Sequence, residues 1–153
     1  MNLSIVAVGR AKAGAERTLF EHYRKRLPWS LDVIEVEEKR PLEAAALRDR
    51  EADLLLGKVP QGAVVVALDQ RGDAWSSEEL ASRLAGWRDG GRPRAAFLIG
   101  GATGHGEAVR ARADSLFSLG NLTWPHMLVR AMLAEQLYRA WSITANHPYH
   151  RAG

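Results

Sequence analysis

Apolar residues in this chain gather into short unbroken runs separated by longer amphipathic stretches. Leu3-Ser4-Ile5-Val6-Ala7-Val8 is a β-branched run stopped by Gly9, the pattern of a strand covered on both faces. Ala63 to Leu68, ending at Asp69, and Arg94 to Ile99, running into Gly100-Gly101, repeat it. Leu31 to Val36 alternates apolar and acidic residues and predicts a half-exposed strand. Ser115 to Leu119 predicts a further short one.

The intervening stretches carry a helical period. Apolar or aromatic residues at 19, 20, 23 and 27 predict a helix over Ala15 to Leu27, closed by Pro28. Pro41 to Leu56 predicts a second, with Pro41 in its first turn and Gly57 as its cap. Ser76 or Ser77 caps a third, in which Glu78 and Glu79 favour the positive end and Gly90-Gly91 ends the run. A short helix is expected over Glu107 to Ala113. A long one follows from Pro125 to about Thr144, with Thr123 or Trp124 as cap. Strands and helices thus alternate throughout. The expected fold is α/β, a single domain over 1–153 with a mostly parallel sheet flanked by helices.

Composition narrows the function. With 153 residues, 46% hydrophobic and 25% charged, the chain has the balance of a soluble globular protein. It has no Cys, which excludes a disulfide framework, a thiolate nucleophile and a Cys-based zinc site. No apolar run reaches membrane length, so the expected location is cytoplasmic. A net charge of +3 permits contact with nucleic acid without demanding it. Arg10, Lys12, Arg17, Arg24, Lys25 and Arg26 make the N-terminal third locally basic, either as a solvated face or as phosphate contacts.

In open parallel sheets ligands bind outside the carboxyl ends of the strands. Three such ends stand out: Leu68-Asp69, Ile99-Gly100-Gly101 and Leu119-Gly120-Asn121. The segment Gly100 to Gly106 follows a strand and precedes a helix, yet no Gly-Lys-Ser/Thr makes it a P-loop. It also lacks the acidic residue that a dinucleotide fingerprint places about 20 residues on. Its glycines either turn the chain sharply or bring bare backbone close to a ligand. Leu119 to Trp124 is too apolar for an ordinary surface loop and favours the second reading.

The runs Ile99-Gly100-Gly101-Ala102-Thr103-Gly104, Leu122-Thr123-Trp124-Pro125-His126 and Glu135-Gln136-Leu137-Tyr138-Arg139-Ala140-Trp141 resemble one family. So do Val6-Ala7-Val8-Gly9 and the terminal Asn146-His147-Pro148-Tyr149-His150. It is the pseudouridine methyltransferase H family of large-subunit ribosomal RNA, within the SPOUT methyltransferases. The likeness spans the whole chain. It implies a C-terminal trefoil knot within about 63–146, a substrate tail over 146–153, and S-adenosyl-L-methionine as cofactor. It also implies a homodimer that methylates N3 of a pseudouridine in ribosomal RNA on the ribosome. Carried over by position, cofactor contacts fall on Leu68, Gly100, Leu119, Gly120, Asn121, Leu122, Thr123 and Trp124. Ala102-Thr103 departs from the usual family loop, which is expected to alter loop detail and not activity.

Four residues are candidates for chemistry. His126 opens the last helix, where the macrodipole favours neutral imidazole; it either takes a proton or packs on Trp124. Arg139 lies four residues from Glu135 on one helix face, and the resemblance sets it near the target nucleotide or its phosphate. Glu135 itself is read as an ion-pair partner. Tyr149 and His150, with His147 and Arg151, form a tail whose rings suit stacking on bases and whose Arg suits phosphate. Two His residues without Cys or a near carboxylate make a poor metal site, and none is expected. The last helix is apolar nearly all round through Leu128, Val129, Met132, Leu133, Leu137 and Trp141, which favours a dimer face. Two rival functions remain: a nucleotide-binding oxidoreductase and a non-catalytic ribosome-binding factor.

Overall fold

The computed structural model describes residues 1–152; Gly153, the end of the expected tail, lies outside the described residues. Five strands alternate with helices: β1 (Asn2–Val8), α1 (Ala15–Arg26), β2 (Ser30–Val36), α2 (Ala44–Gly57), β3 (Val64–Asp73), α3 (Ser77–Asp89), β4 (Arg94–Ile99), α4 (Glu107–Arg112), β5 (Ser115–Phe117) and α5 (His126–Thr144). A 3-10 turn, Pro148–Ala152, follows. The strands form one sheet in the order β2-β1-β4-β3-β5, and every pairing is parallel.

The continuous apolar runs make sense once the pleat sorts them. Leu3, Ile5, Ala7, Val64, Val66, Phe97 and Ile99 point to one face, where they join buried residues of α1, α3 and α5. Val6, Val65, Ala67, Ala96 and Leu98 point to the other, beneath α2 and α4. Successive side chains of a strand alternate faces, so a strand covered twice has no polar position to offer. β2 is an edge strand, and its acidic alternation follows from that place.

Five boundaries differ from expectation, each for a local reason. α2 starts at Ala44, with Glu43 as N-cap, because Pro41 sits in a separate turn closed by the Leu42 amide on the Arg40 carbonyl at 2.9 Å. Gly57 is the last helical residue and Lys58 the cap, at φ −106°, so no left-handed glycine is used. β3 does not stop at Asp69. A bulge between Leu68 and Asp73 lets both residues pair with Phe117, and Gly72 presses directly on the Leu116–Phe117 backbone. β5 ends at Phe117, leaving Leu119 in the following loop. α5 begins at His126, and its N-cap is Pro125 in extended conformation, not Thr123 or Trp124. Ser76 does cap α3, accepting a hydrogen bond from the Glu79 amide at 3.1 Å.

The sheet order sets β4, β3 and β5 side by side, so their carboxyl ends open on the same edge. α5 crosses the face shared with α1 and α3, its first turn beside those ends and its last turn under the tail.

Candidate functional site

The three strand ends enclose a cleft of about 460 Å³, within the range of small-molecule sites. Leu68 to Arg71 form one wall, Ile99 to His105 the second, and Leu119, Gly120 and Leu122 to Trp124 the third. Arg110 and Phe117 complete the lining, and His126 and Val129 of α5 close the end. Seven of the eight residues expected to hold a cofactor therefore converge here. Asn121 does not line the cleft, although both its neighbours do.

The glycine loop is held tightly. The Gly104 amide donates to the Gly101 carbonyl at 3.0 Å, and Gly104 adopts φ +82°, a conformation open to glycine at little cost. A Cβ on Gly100 would stand 3.2 Å from the Gly104 carbonyl carbon and 3.2 Å from His105 Nδ1. The bareness of Gly100 thus serves the loop's own turn as well as any ligand. Behind the loop, Arg48 donates from Nε to the Thr103 carbonyl at 3.0 Å. A Cβ on Gly101 would fall 2.8 Å from Glu51 Oε1.

The polar groups around this loop lack partners. Thr103 Oγ1, His105 Nδ1 and Glu51 Oε1 are buried without a hydrogen bond. His105 is 3% exposed and meets the Leu98 carbonyl through Nε2 at 3.2 Å. Burial lowers its pKa and keeps the ring neutral. Burial raises that of Glu51, with His126 nearby pulling it partly back. Asp69, by contrast, is satisfied. Burial alone would raise its pKa, but the Arg71 amide and the Arg110 guanidinium, each at 2.8 Å, outweigh that and hold it low. An unsatisfied buried group costs about 1–3 kcal/mol, so these orphans concentrate unpaired polar atoms beside the cleft. The apolar stretch of Leu68, Ile99, Phe117 and Val129 gives a flat ring something to lie on.

The four candidates for chemistry divide between two places. His126 is in the cleft. Arg139, Tyr149 and His150 meet one another at the far end of α5 and do not line it. There Arg139 donates to Glu135 Oε1 from Nη2 at 2.7 Å and from Nε at 3.0 Å. Tyr149 donates its hydroxyl to the same oxygen at 2.9 Å. His150 accepts from Arg139 at 3.3 Å through Nδ1 and meets Glu78 at 2.9 Å through Nε2, which the Nε2–H tautomer satisfies. Burial raises the Tyr149 pKa, and Tyr23 and Glu135 add to it, so the phenol stays protonated at neutral pH. The Tyr149 and Tyr138 rings meet edge to face at 4.6 Å. The His147 amide bonds the Ser142 carbonyl at 2.8 Å, and the tail is an ordered element packed on its own helix.

Sequence reasoning missed Glu51, Asp69, His105 and Arg110 as parts of the site. His105 and Asp69 lie within segments it singled out, and a strand-end carboxylate was a usable signal. Nothing in the sequence ties Glu51 or Arg110 to the cleft, because only packing brings α2 and α4 against the loop. No group of His, Cys, Asp and Glu suited to a metal ion occurs among the described residues. No helix among them is long and apolar enough to cross a membrane.

Residues 1–150 match the family model described as "Predicted SPOUT methyltransferase". The chain belongs to the SPOUT methyltransferase family. It is 59% identical over 152 residues to ribosomal RNA large subunit methyltransferase H of Rhodospirillum rubrum, covering 99% of this chain and 100% of that one. The protein of the same name from Paramagnetospirillum magneticum is 60% identical over 151 residues, covering 99% of each. Among solved structures, a methylase family protein from Neisseria gonorrhoeae aligns with TM-score 0.52 at 13% identity, over 90% of this chain and 81% of that one. That likeness concerns the fold.

Proposed function

We propose that this protein is an S-adenosyl-L-methionine-dependent methyltransferase of large-subunit ribosomal RNA that methylates N3 of a pseudouridine. What carries the reading is the convergence of seven expected donor-binding residues and His126 on one cleft backed by orphaned buried polar atoms. Full-length identity to relatives bearing that ribosomal RNA name supports the substrate class.

When bound, the donor supplies an electrophilic methyl group on a sulfonium sulfur. The cleft residues then orient it. Leu68, Ile99 and Val129 would hold its apolar ring, and the backbone of Leu119 to Trp124 its polar edge. Thr103 and His105 gain partners they lack. A donor held there would supply its methyl group to pseudouridine N3, whose proton must then leave. His126, at the first turn of α5, is the residue of the cleft suited to take that proton. In-line placement supplies most of the acceleration.

Arg139, Tyr149 and His150 stand apart from the cleft of their own subunit, so we assign them to the cleft of a partner copy. Leu128, Val129, Met132 and Trp141 are only half-buried, an apolar flank that a homodimer covers. The C-terminal segment is threaded as a trefoil knot in this reading, an exception to the general avoidance of knots. The enzyme acts in the cytoplasm on ribosomes.

Calorimetry with S-adenosylhomocysteine, and incubation of the protein and labelled donor with ribosomes lacking the modification, test this directly. The expected result is donor-class binding and one labelled N3-methylpseudouridine in nuclease digests. Binding of NAD with no response to S-adenosylhomocysteine overturns the reading, as does binding of donor and ribosome without transfer.

A further inference from the structure

The positive charge of this chain is concentrated. Residues 10–26 hold six Lys and Arg against Glu16 and Glu21, a net +4, while the whole chain carries +3. Everything else is therefore slightly acidic. Part of the concentrated charge lines a second cleft of about 480 Å³, between the loop after β1, the α1 helix and the first turn of α5.

Its floor is Arg130, only 4% exposed. Arg130 donates to Glu35 Oε2 at 2.5 Å and to the Gly9 carbonyl at 3.0 Å, while its Nε has no partner. Glu35 also accepts from the Ala11 amide at 2.7 Å, so the basic loop is tied to α5 through this pair. At the rim, Arg10 is loosely paired with Glu37 at 3.5 Å and Arg24 with Glu21 at 3.2 Å. Lys12 and Arg17 line the same cleft and make no ion pair among the described residues. Five cations thus face three carboxylates, Glu16, Glu21 and Glu35. A buried guanidinium beneath two cations without ion-pair partners suits a single anion.

The location gives that anion a meaning. His126 and Val129 face the donor cleft, whereas Met127 and Arg130, on the same turn of α5, face this one. The two clefts stand back to back across one helix, about 10 Å wide. We propose that the Arg130 cleft seats a backbone phosphate of the RNA close to the nucleotide being methylated. The proposal rests on the RNA methyltransferase reading above. RNA duplexes and stem-loops are positioned largely through phosphates and shape, and a phosphate fixed here sets the register of the strand against His126.

The test uses the full-length protein with a Lys12→Ala/Arg17→Ala double variant and a Lys39→Ala/Lys58→Ala variant that removes equal charge elsewhere. Affinity for unmethylated large ribosomal subunits is measured from 50 to 200 mM salt, with donor affinity and oligomeric state measured alongside. Each phosphate contact adds about 0.7–0.9 to the slope of log K against log salt. The Lys12/Arg17 variant should bind subunits about tenfold more weakly, flatten that slope by about one to two, and keep donor affinity within about twofold. The control should leave the slope unchanged. An unaltered slope in the first variant, an equal loss in the control, or a change of oligomeric state in the first variant overturns the proposal. If wild type labels no subunits at all, the broader reading fails; labelling by wild type beside an unaltered variant slope removes the phosphate site alone.

Discussion

The donor cleft and the C-terminal tail sit at opposite ends of α5 and are built on opposite plans. The cleft is built from three loops at strand ends, and three buried polar atoms around it, on Glu51, Thr103 and His105, have no hydrogen bond. In the tail, Glu135, Arg139, Tyr149 and His150 are bonded to one another, with Glu78 and Gln136 completing the network. The first arrangement costs stability in the empty protein and regains it when a ligand arrives. The second is finished without a ligand, so Arg139 can hold a phosphate only by sharing it with Glu135. One end of the helix leaves buried polar atoms unpaired; at the other the polar groups are already paired.

The sharpest way to separate the ends is to delete one. Ending the chain after Asn146 should lower methyl transfer to ribosomes about 100-fold or more, roughly 2.7 kcal/mol of transition-state stabilisation, while donor affinity stays within about twofold. Equal loss of both, measured by single-turnover transfer and calorimetry, would merge the two regions into one site. Next comes Gly101→Ala, whose Cβ would stand 2.8 Å from Glu51 Oε1. Donor affinity should fall about tenfold, matching the 1–3 kcal/mol of an overpacked contact, and Glu51→Ala in the same chain should restore most of it. Failure of that rescue would show that the loop is not braced by Glu51.

The smallest effect concerns pH. Burial holds the Glu51 carboxyl above the ordinary carboxylate range, so the folded chain binds its proton more tightly than the unfolded one. That contribution is complete below the unfolded value of about 4.3 and is lost as pH rises through the raised folded value. Glu51→Gln should therefore raise the Tm at pH 8 by about 2–4 °C, the scale of 1 kcal/mol in a chain of this size. At pH 4 it should change little. Melts across pH 4–8 check the sign, and a variant destabilised equally at both ends would refute it.

The fold was readable where the physics is local and periodic. Val64 to Ala67 and Ala95 to Ile99 are apolar at every position because both faces of their strands are covered, and no surface strand would keep that pattern. Ser76 announced its helix through a side chain that competes for the first free amides. Pro41 and Gly57 misled because each suits a helix end without compelling one. The bulge at Gly72 and the contact of Glu51 with Gly101 depend on residues distant along the chain, and no local signal carries them. The candidate site followed the same division. Its walls were visible as odd loops after apolar runs, but Asp69 with Arg110 and the Arg130–Glu35 pair appear only when separate elements pack. The separation of His126 from Arg139, thirteen residues along one helix and so about 20 Å, was legible, whereas the packing of Tyr149 and His150 back onto Arg139 was not.

Gly72 gives the cleft a vulnerability of an unusual kind. A Cβ there would lie 2.4 Å from the Leu116 carbonyl carbon, among backbone atoms that cannot step aside. β5 is three residues long and joins the sheet along one side only, so this close approach lies directly beneath the third wall. Every other amino acid carries at least that carbon. Mutational tolerance at position 72 is therefore close to nil, although Gly72 does not itself line the cleft. A lineage that needs this enzyme would be expected to keep a bare backbone there while the surrounding surface drifts.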